Sequence, residues 1–150
     1  MPFSADTTAA VARARQHSVG DLLRRTAQRT PDKLAVVYGD ERYTFAEFDA
    51  AVNRAAGGLA ARGLAKGDRL ALLGRNSWSF AVLVFATAKL GVVLVPINFM
   101  LNADEIAFIL GHSGASGMVA DDALIATAEK AIGDTSLTVG GRIGGDAEGW

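Results

Sequence analysis

The chain has 150 residues, which is enough for one domain with a sizeable hydrophobic core. Half of the residues are apolar and 21% are charged, a balance typical of globular proteins. The 15 basic and 16 acidic residues nearly cancel, so the charge does not favour a nucleic-acid partner, and we expect none. The absence of cysteine excludes disulfides, thiolate zinc sites and cysteine nucleophiles, and it is consistent with the cytoplasmic location that we expect.

The first 17 residues are rich in alanine, arginine and threonine. They contain no apolar run of the length that a secretory signal requires. We therefore predict a flexible N-terminal arm over residues 1–17.

The next segment predicts a helix and then a β-hairpin. Ser18 and Asp21 have the spacing of a helix N-cap, and Pro31 ends the apolar helical pattern behind them. Two extended segments, residues 34–38 and 42–44, flank a Gly-Asp turn signal.

A second helix is predicted from a capping box formed by Thr44 and Glu47. The apolar positions behind it recur every three or four residues, and Gly63 is typical of the end of a helix. The members of this apolar face are Phe45, Phe48, Val52, Ala55 and Leu59. Residues 70–73 then form a short apolar run that predicts a buried strand.

Residues 77–97 carry only one charge, Lys89, and are numerous enough to cross a bilayer. Gly91 interrupts the segment, and β-branched residues follow it. This pattern favours a buried helix followed by a strand at residues 92–96 over a membrane span.

The remaining pattern continues the alternation of helices and strands. Asn102 and Glu105 predict another N-cap, and Gly114 predicts the end of that helix. We expect a strand at residues 116–120, a helix at 121–132 and a strand at 136–139. Residues 140–150 include five glycines without periodicity and predict a glycine-rich loop.

Continuous apolar strands that alternate with helices predict an α/β fold. We expect a parallel sheet flanked by helices, preceded by the N-terminal helix and the β-hairpin. The strands at residues 70–73, 92–95 and 116–120 should be neighbours in that sheet.

The sequence contains no complete phosphate-binding motif. Gly58 and Gly63 have the separation found in a P-loop, but Leu64 stands where that motif needs lysine. The glycine cluster at residues 140–145 follows a predicted strand, yet no helical pattern follows it, which favours a turn.

The sequence pattern does not indicate a serine nucleophile paired with a histidine base. His112 and Ser113 are adjacent, but neighbours on a helix point about 100° apart. His112 in the last helical turn is better explained as a cap or a partner of the helix dipole. His17 is isolated within the N-terminal arm.

Acidic and aromatic groups also favour structural roles. Asp121-Asp122 is predicted at a helix start and Asp40-Glu41 in a hairpin turn, where acidic residues are common. The aromatic side chains of the apolar helix favour core packing over a ligand tunnel; they are Trp78, Phe80 and Phe85. We assign no catalytic, cofactor-binding or metal-binding residue.

Two groups of segments carry more specific information. The first comprises residues 42–48, 53–59 and 63–73, and the second comprises residues 88–98, 104–106 and 112–114. In order and spacing they resemble the adenylate-forming superfamily of acyl-CoA synthetases, adenylation domains and luciferases. The resemblance covers about residues 18–132. On this basis residues 18–139 are expected to form part of an AMP-binding N-terminal domain, followed by the glycine-rich loop at 140–150.

The resemblance implies an ATP-dependent acid–CoA ligase. In such enzymes a carboxylic acid and ATP give an acyl-adenylate and pyrophosphate with Mg²⁺, and the thiol of CoA then displaces AMP. The family's phosphate loop and late lysine lie downstream of this stretch, so the chain alone is expected to be inactive. The segment at residues 96–98 and 100–105 looks closer to fatty-acyl ligases, although Met100 stands where many relatives have arginine.

Two alternatives remain open. One is a truncated, non-catalytic α/β module. The other is an acid-adenylating enzyme without CoA transfer. A homodimer is a further expectation.

Overall fold

The computed structural model describes residues 18–133, 137 and 139–144, together with the isolated positions 7 and 11. The helices are α1 (Val19–Arg29), α2 (Phe45–Ala61), α3 (Trp78–Leu90), α4 (Ala103–Ser113) and α5 (Ile125–Ile132). The strands are β1 (Leu34–Tyr38), β2 (Glu41–Thr44), β3 (Arg69–Leu73), β4 (Val93–Ile97), β5 (Gly117–Asp121) and β6 (Val139–Ile143). A short 3₁₀-helix, Asp122–Leu124, joins β5 to α5.

Four strands form one parallel sheet in the order β4-β3-β5-β6. In the centre of the sheet Leu70 pairs with Leu94 on one side and with Gly117 on the other. Gly117 in turn pairs with Val139 of β6. The prediction that the strands near residues 70–73, 92–95 and 116–120 are neighbours in a parallel sheet is confirmed.

Successive side chains of β3 point to opposite faces of the sheet. Helices of the chain pack against both of these faces. Leu70 and Leu72 pack into a cluster with α1, α2 and α3. Ala71 and Leu73 pack into a second cluster with α4 and α5. All four side chains are fully buried. This confirms the predicted α/β fold with a parallel sheet flanked by helices.

The predicted hairpin is confirmed as a separate two-stranded antiparallel sheet of β1 and β2. Its second strand ends at Thr44, where α2 begins. The ring of Tyr43 stacks on the indole of Trp78 with centroids 3.7 Å apart, which attaches the hairpin to α3. Tyr43 also donates a hydrogen bond of 2.8 Å to Glu41, and this bond raises the pKa of the phenol.

Three helices begin with the capping boxes that the sequence predicts. Thr44 N donates to the Glu47 carboxylate at 2.8 Å, and Glu47 N donates to Thr44 Oγ1 at 3.3 Å. The Thr44 hydrogen bonds lower the pKa of Glu47. At α1, hydrogen bonds from Arg24 and then Ser18 lower the pKa of Asp21 to about 2. At α4 the corresponding bonds join Asn102 and Glu105.

The apolar helix α3 packs against both α1 and α2, and none of its side chains is exposed. Its lone charge is satisfied by α2, because Lys89 Nζ contacts Asp49 at 3.3 Å and also Asn53. Gly20 of α1 lies against the Lys89 backbone, where a Cβ would come within 2.7 Å of Cα. The prediction of a helix and then a strand here is confirmed. Within the part of the chain that the structure describes, none of the helices has the length and hydropathy needed to span a bilayer.

The structure corrects two predictions near the C-terminal end. We predicted a strand at residues 136–139 and a loop from Gly140, but β6 runs from Val139 to Ile143. Two glycines would favour a turn, but pairing with β5 holds these residues in a strand. Gly141 also permits a close approach to β5, because a Cβ at this position would lie 3.0 Å from Val119 Cγ2. Residues 136 and 145–150 lie outside the described residues.

The second correction concerns Asp121, which we placed at the start of a helix. Asp121 ends β5, and the helical turn that follows is 3₁₀ before α5 begins at Ile125. In the predicted N-terminal arm, Thr7 and Val11 are helical and exposed. The remainder of residues 1–17 lies outside the described residues, so the flexibility of the arm stays a prediction.

Candidate functional site

The carboxyl ends of the four parallel strands meet at one edge of the sheet, which we call the carboxyl edge. From β3 the chain crosses through α3 to β4 on one side, and from β4 it returns through α4 to β5 on the other side. The connections that leave β3 and β5 therefore run in opposite directions along the sheet, and the point of reversal lies between these two strands. In open α/β sheets this reversal creates a crevice in which ligands commonly bind.

Asp121 lies at the end of β5, on the carboxyl edge. Its Oδ2 accepts a hydrogen bond of 2.6 Å from the backbone N–H of Arg75, in the loop after β3. A Cβ on Gly74 would lie 3.0 Å from the Asp121 carboxylate, so the loop approaches it as closely as glycine allows. The Asp121 side chain therefore fixes the start of the β3–α3 connection.

Arg75 extends from this loop toward the end of β4. Its guanidinium carbon lies 5.3 Å from the centre of the Phe99 ring, within the range of a cation–π contact. Asn98 Oδ1 accepts a hydrogen bond of 3.0 Å from Met100 N and shapes the turn that carries Phe99. The edge thus presents a cation and an aromatic ring, groups that suit an anionic or planar ligand.

A concave surface, which we call the α2–α3–β6 groove, has a volume of about 460 Å³. Its apolar floor is formed by Leu59, Val82, Leu83 and Val119. One side is formed by the backbone of β6 up to Gly144. Of the residues that the structure describes, three arginines and no carboxylate line the groove; the arginines are Arg54, Arg62 and Arg142.

The arginines of the groove differ in their partners. Arg142 pairs with Asp122, but its buried Nε finds no hydrogen-bond partner among the described residues. Arg62 donates to the carbonyl of Gly58 at 3.3 Å. Neither Arg54 nor Arg62 has an ion-pair partner among the described residues. Sequence reasoning missed this groove, because it combines positions that are far apart in the chain.

The structure does not bring the candidate nucleophile and base together. His112 stacks on Phe108 with ring centroids 5.6 Å apart, on the exposed face of α4. Ser113 donates to the carbonyl of Leu110 at 3.3 Å. Both residues lie at the end of α4 that leads to the start of β5, opposite the carboxyl edge. His17 lies outside the described residues.

The acidic pairs have separate structural partners. Asp121 binds the backbone of Arg75, and Asp122 pairs with Arg142. Glu41 accepts a hydrogen bond from Tyr43 in the hairpin. Over the described residues, no three histidine, aspartate or glutamate side chains converge in a way that could hold a metal ion.

The aromatic side chains of α3 pack as core residues. Trp78 lies between Tyr43 and Phe48, and Phe85 meets the edge of Phe48. Phe80 packs against the same cluster. Trp78 also lines the groove, a position that the sequence pattern did not predict.

The glycine pair with P-loop separation does not form a P-loop. Gly58 lies within α2 and Gly63 just after it, and Leu64 stands where the motif needs lysine.

Comparison with known proteins identifies relatives over most of the chain. The model of the family "AMP-binding enzyme" matches residues 23–145. Long-chain-fatty-acid–CoA ligase FadD13 of Mycobacterium tuberculosis (strain ATCC 25618 / H37Rv) is 42% identical over 134 residues. This match covers 87% of the chain and 27% of FadD13. The human mitochondrial medium-chain acyl-CoA ligase ACSF2 is 40% identical over 104 residues, which are 68% of the chain and 17% of ACSF2.

Solved structures agree with these relatives. The inhibitor-bound crystal structure of the N-terminal domain of FACL13 from Mycobacterium tuberculosis has a TM-score of 0.77 and 39% identity. The match covers 85% of the chain and 33% of that structure. The chain therefore spans less than a third of the length of these curated relatives.

Proposed function

Because the chain belongs to the family of AMP-binding enzymes, we propose that it is the N-terminal part of an ATP-dependent acid–CoA ligase. The substrate would be a fatty or another acyl acid. The observation that carries the proposal is the 42% identity to FadD13 over nearly the whole chain. In the first step the acid carboxylate attacks the α-phosphorus of ATP and releases pyrophosphate. In the second step the CoA thiol attacks the acyl carbon and releases AMP.

We assign this chain the role of a structural part of the AMP-binding domain. ATP, Mg²⁺ and CoA would be required by the complete enzyme, and the residues that hold ATP and Mg²⁺ are expected downstream of position 150. Residues 18–139 would supply part of the domain, and none of them is assigned a catalytic role. We expect a cytoplasmic location, no nucleic-acid partner and a homodimer; these stay predictions.

A chimeric enzyme tests the proposal directly. Residues 18–144 replace the aligned segment of FadD13, and ATP–pyrophosphate exchange is measured with a long-chain fatty acid. The chimera should exchange pyrophosphate, because the downstream residues come from the relative. The isolated 150-residue chain should show no exchange above a heat-denatured sample.

The matched control is the same chimera with Leu72→Glu, which places a charge in the sheet core and should abolish exchange. A well-folded chimera that does not exchange pyrophosphate would contradict the proposal that this chain is part of an acid–CoA ligase. Exchange by the isolated chain would show that it holds a nucleotide site of its own.

One observation favours a second candidate, a non-catalytic α/β module. Both faces of β3 and β5 are covered by helices of the chain itself. Denaturant unfolding and sedimentation of the purified chain distinguish the two. Association or a transition of low cooperativity supports the partial domain, and a monomer with a sharp two-state transition supports the module.

A further inference from the structure

The α2–α3–β6 groove has the size and the lining of a small-molecule site. Its volume of about 460 Å³ falls within the range of roughly 300–1,000 Å³ that is typical of ligand pockets. The apolar floor is contributed by α2, α3 and β5; its members are Leu59, Val82, Leu83 and Val119. Ligand pockets usually combine such a floor with a few polar groups that orient the ligand.

Two arginines of α2 give the groove its unpaired positive charge. Arg62 Nη1 donates a hydrogen bond of 3.3 Å to the Gly58 carbonyl and lies 3.6 Å from a Cβ built on Gly58. The guanidinium therefore folds back over a residue that lines the groove, and its Nε and Nη2 have no hydrogen-bond partner among the described residues. Arg54 lines the groove about two turns earlier on the same helix. Guanidinium donors of this kind bind oxyanions.

Glycines line the groove on both α2 and β6. Gly58 belongs to α2, and Gly141 of β6 lies beside Val119 of the floor. A side chain at either position would take up space in the groove, whereas glycine lets a ligand approach the backbone closely. This space favours a flat ring, because a rigid ring also loses less conformational freedom on binding than a flexible chain does.

We propose that the α2–α3–β6 groove binds a flat aromatic anion, with its ring on the apolar floor near Gly58 and Gly141 and its anionic group at Arg62. The ring buries apolar area against the floor, and the Arg62 guanidinium donates charge-assisted hydrogen bonds to the anionic group. Arg54 adds positive potential at the same rim, and no described carboxylate lines the groove to oppose it. All of these groups belong to the described part of this chain, so the site does not depend on the proposed ligase activity.

Isothermal titration calorimetry with three probes tests the chemistry of the ligand. Naphthalene-2-sulfonate carries a flat ring and a negative charge. Naphthalene-2-sulfonamide has nearly the same shape without the charge, and octane-1-sulfonate carries the charge on a flexible chain. At low salt the chain should bind naphthalene-2-sulfonate at least about tenfold more tightly than the sulfonamide, and at least about threefold more tightly than octane-1-sulfonate.

Two results of these titrations would overturn the site itself. They are the absence of naphthalene-2-sulfonate binding, and equal affinities for the sulfonate and the sulfonamide. Binding of octane-1-sulfonate as tight as that of naphthalene-2-sulfonate would overturn the assignment to an aromatic ligand.

A matched pair of glycine substitutions tests where the ligand binds. Gly58→Leu places a side chain in the groove, and Gly57→Leu is the control, because Gly57 is exposed and has no atom within 4 Å of an added Cβ. Both substitutions replace a helical glycine by a good helix former, so neither should lower stability in urea unfolding. Gly58→Leu should weaken naphthalene-2-sulfonate binding at least about tenfold, and Gly57→Leu should change it less than about twofold. Equal affinities of the two variants would overturn the placement in the groove.

A charge removal tests the role of the arginines. Arg54→Gln with Arg62→Gln should weaken naphthalene-2-sulfonate binding about five- to tenfold, because exposed ion pairs are individually weak, and should leave sulfonamide binding unchanged. The matched control is Lys33→Gln with Lys130→Gln, which removes the same charge at exposed positions outside the groove and should change either affinity less than about twofold. An arginine variant that binds the sulfonate as tightly as the parent, or that weakens both probes equally, would overturn the assignment of the anionic group to these arginines.

Discussion

The central sheet and the hairpin differ in how completely the chain covers them. Every side chain from Leu70 to Leu73 in β3 is fully buried, with helices on both sides. In the hairpin Leu34, Val37 and Tyr38 remain 49%, 52% and 48% exposed. The sheet is therefore stabilised from both faces, whereas the hairpin is held from one side only. The described residues bury β3 on both faces, whereas the hairpin and the edge strand β4, whose Val93 is 51% exposed, are covered less completely.

The largest effect should come from a cavity in the sheet. Leu72→Ala should destabilise the fold by about 2–5 kcal/mol, because the truncated side chain leaves a void between packed layers. Leu34→Ala in the hairpin should change stability by less than about 0.5 kcal/mol, because that side chain is half exposed. Urea unfolding of both variants gives the two free energies. Equal losses would show that the hairpin is as well packed as the sheet.

The next effect concerns the approach of α1 to α3. Gly20→Ala should destabilise by about 1–3 kcal/mol, since its Cβ would overlap the backbone of Lys89. Gly57→Ala is the matched control, because this helical glycine has no atom within 4 Å of the added Cβ. That variant should be more stable by about 0.5–1 kcal/mol. A stabilised Gly20→Ala variant would mean that α1 does not pack against α3 in solution.

The parts of the fold that local chemistry determines could be predicted from the sequence. Thr44 with Glu47 and Asn102 with Glu105 satisfy backbone donors within a single helical turn, so their spacing is sufficient to place the helix starts. The buried strand at residues 70–73 follows from a continuous apolar run. These features involve neighbours in sequence, and the structure confirms them.

Features that depend on distant residues could not be predicted. The glycines of β6 indicate a turn locally, and only pairing with β5 makes them part of a strand. Aspartate is a residue type common at helix starts, but the Asp121 carboxylate accepts a hydrogen bond from Arg75 N, which lies 46 residues earlier in the chain. The groove has the same origin, because α2, α3 and β6 meet there only after the sheet has formed. We predicted no site residue from local patterns, and the carboxyl edge and the groove are both formed by residues that are far apart in the chain.

Attachment of the hairpin to α3 should have an intermediate effect. Tyr43→Leu keeps an apolar side chain but removes the stacked ring over Trp78, which is worth about 0.5–1.5 kcal/mol. Tyr38→Leu, at an exposed position of β1, should cost less than about 0.5 kcal/mol. Thermal or urea unfolding measures both. A larger loss at position 38 would contradict the one-sided attachment of the hairpin.

The smallest effect should be the contribution of the Asp21 carboxyl, at the start of α1, to the pH dependence of the free energy of unfolding. Hydrogen bonds from Arg24 and Ser18 lower the pKa of Asp21 from 3.8 to about 2 in the folded chain. A carboxyl whose pKa is lower in the folded state stabilises it above the unfolded pKa, and that contribution disappears as the pH falls through the folded pKa. The Asp21 contribution should therefore be complete above about pH 4 and be lost between pH 4 and pH 2. Asp21→Asn should flatten the stability curve in this window. Unfolding free energies measured from pH 6 to pH 2 provide the comparison. If Asp21→Asn follows the parent curve throughout, the Asp21 cap contributes nothing in solution, and α1 is held by its contacts with α2 and α3 alone.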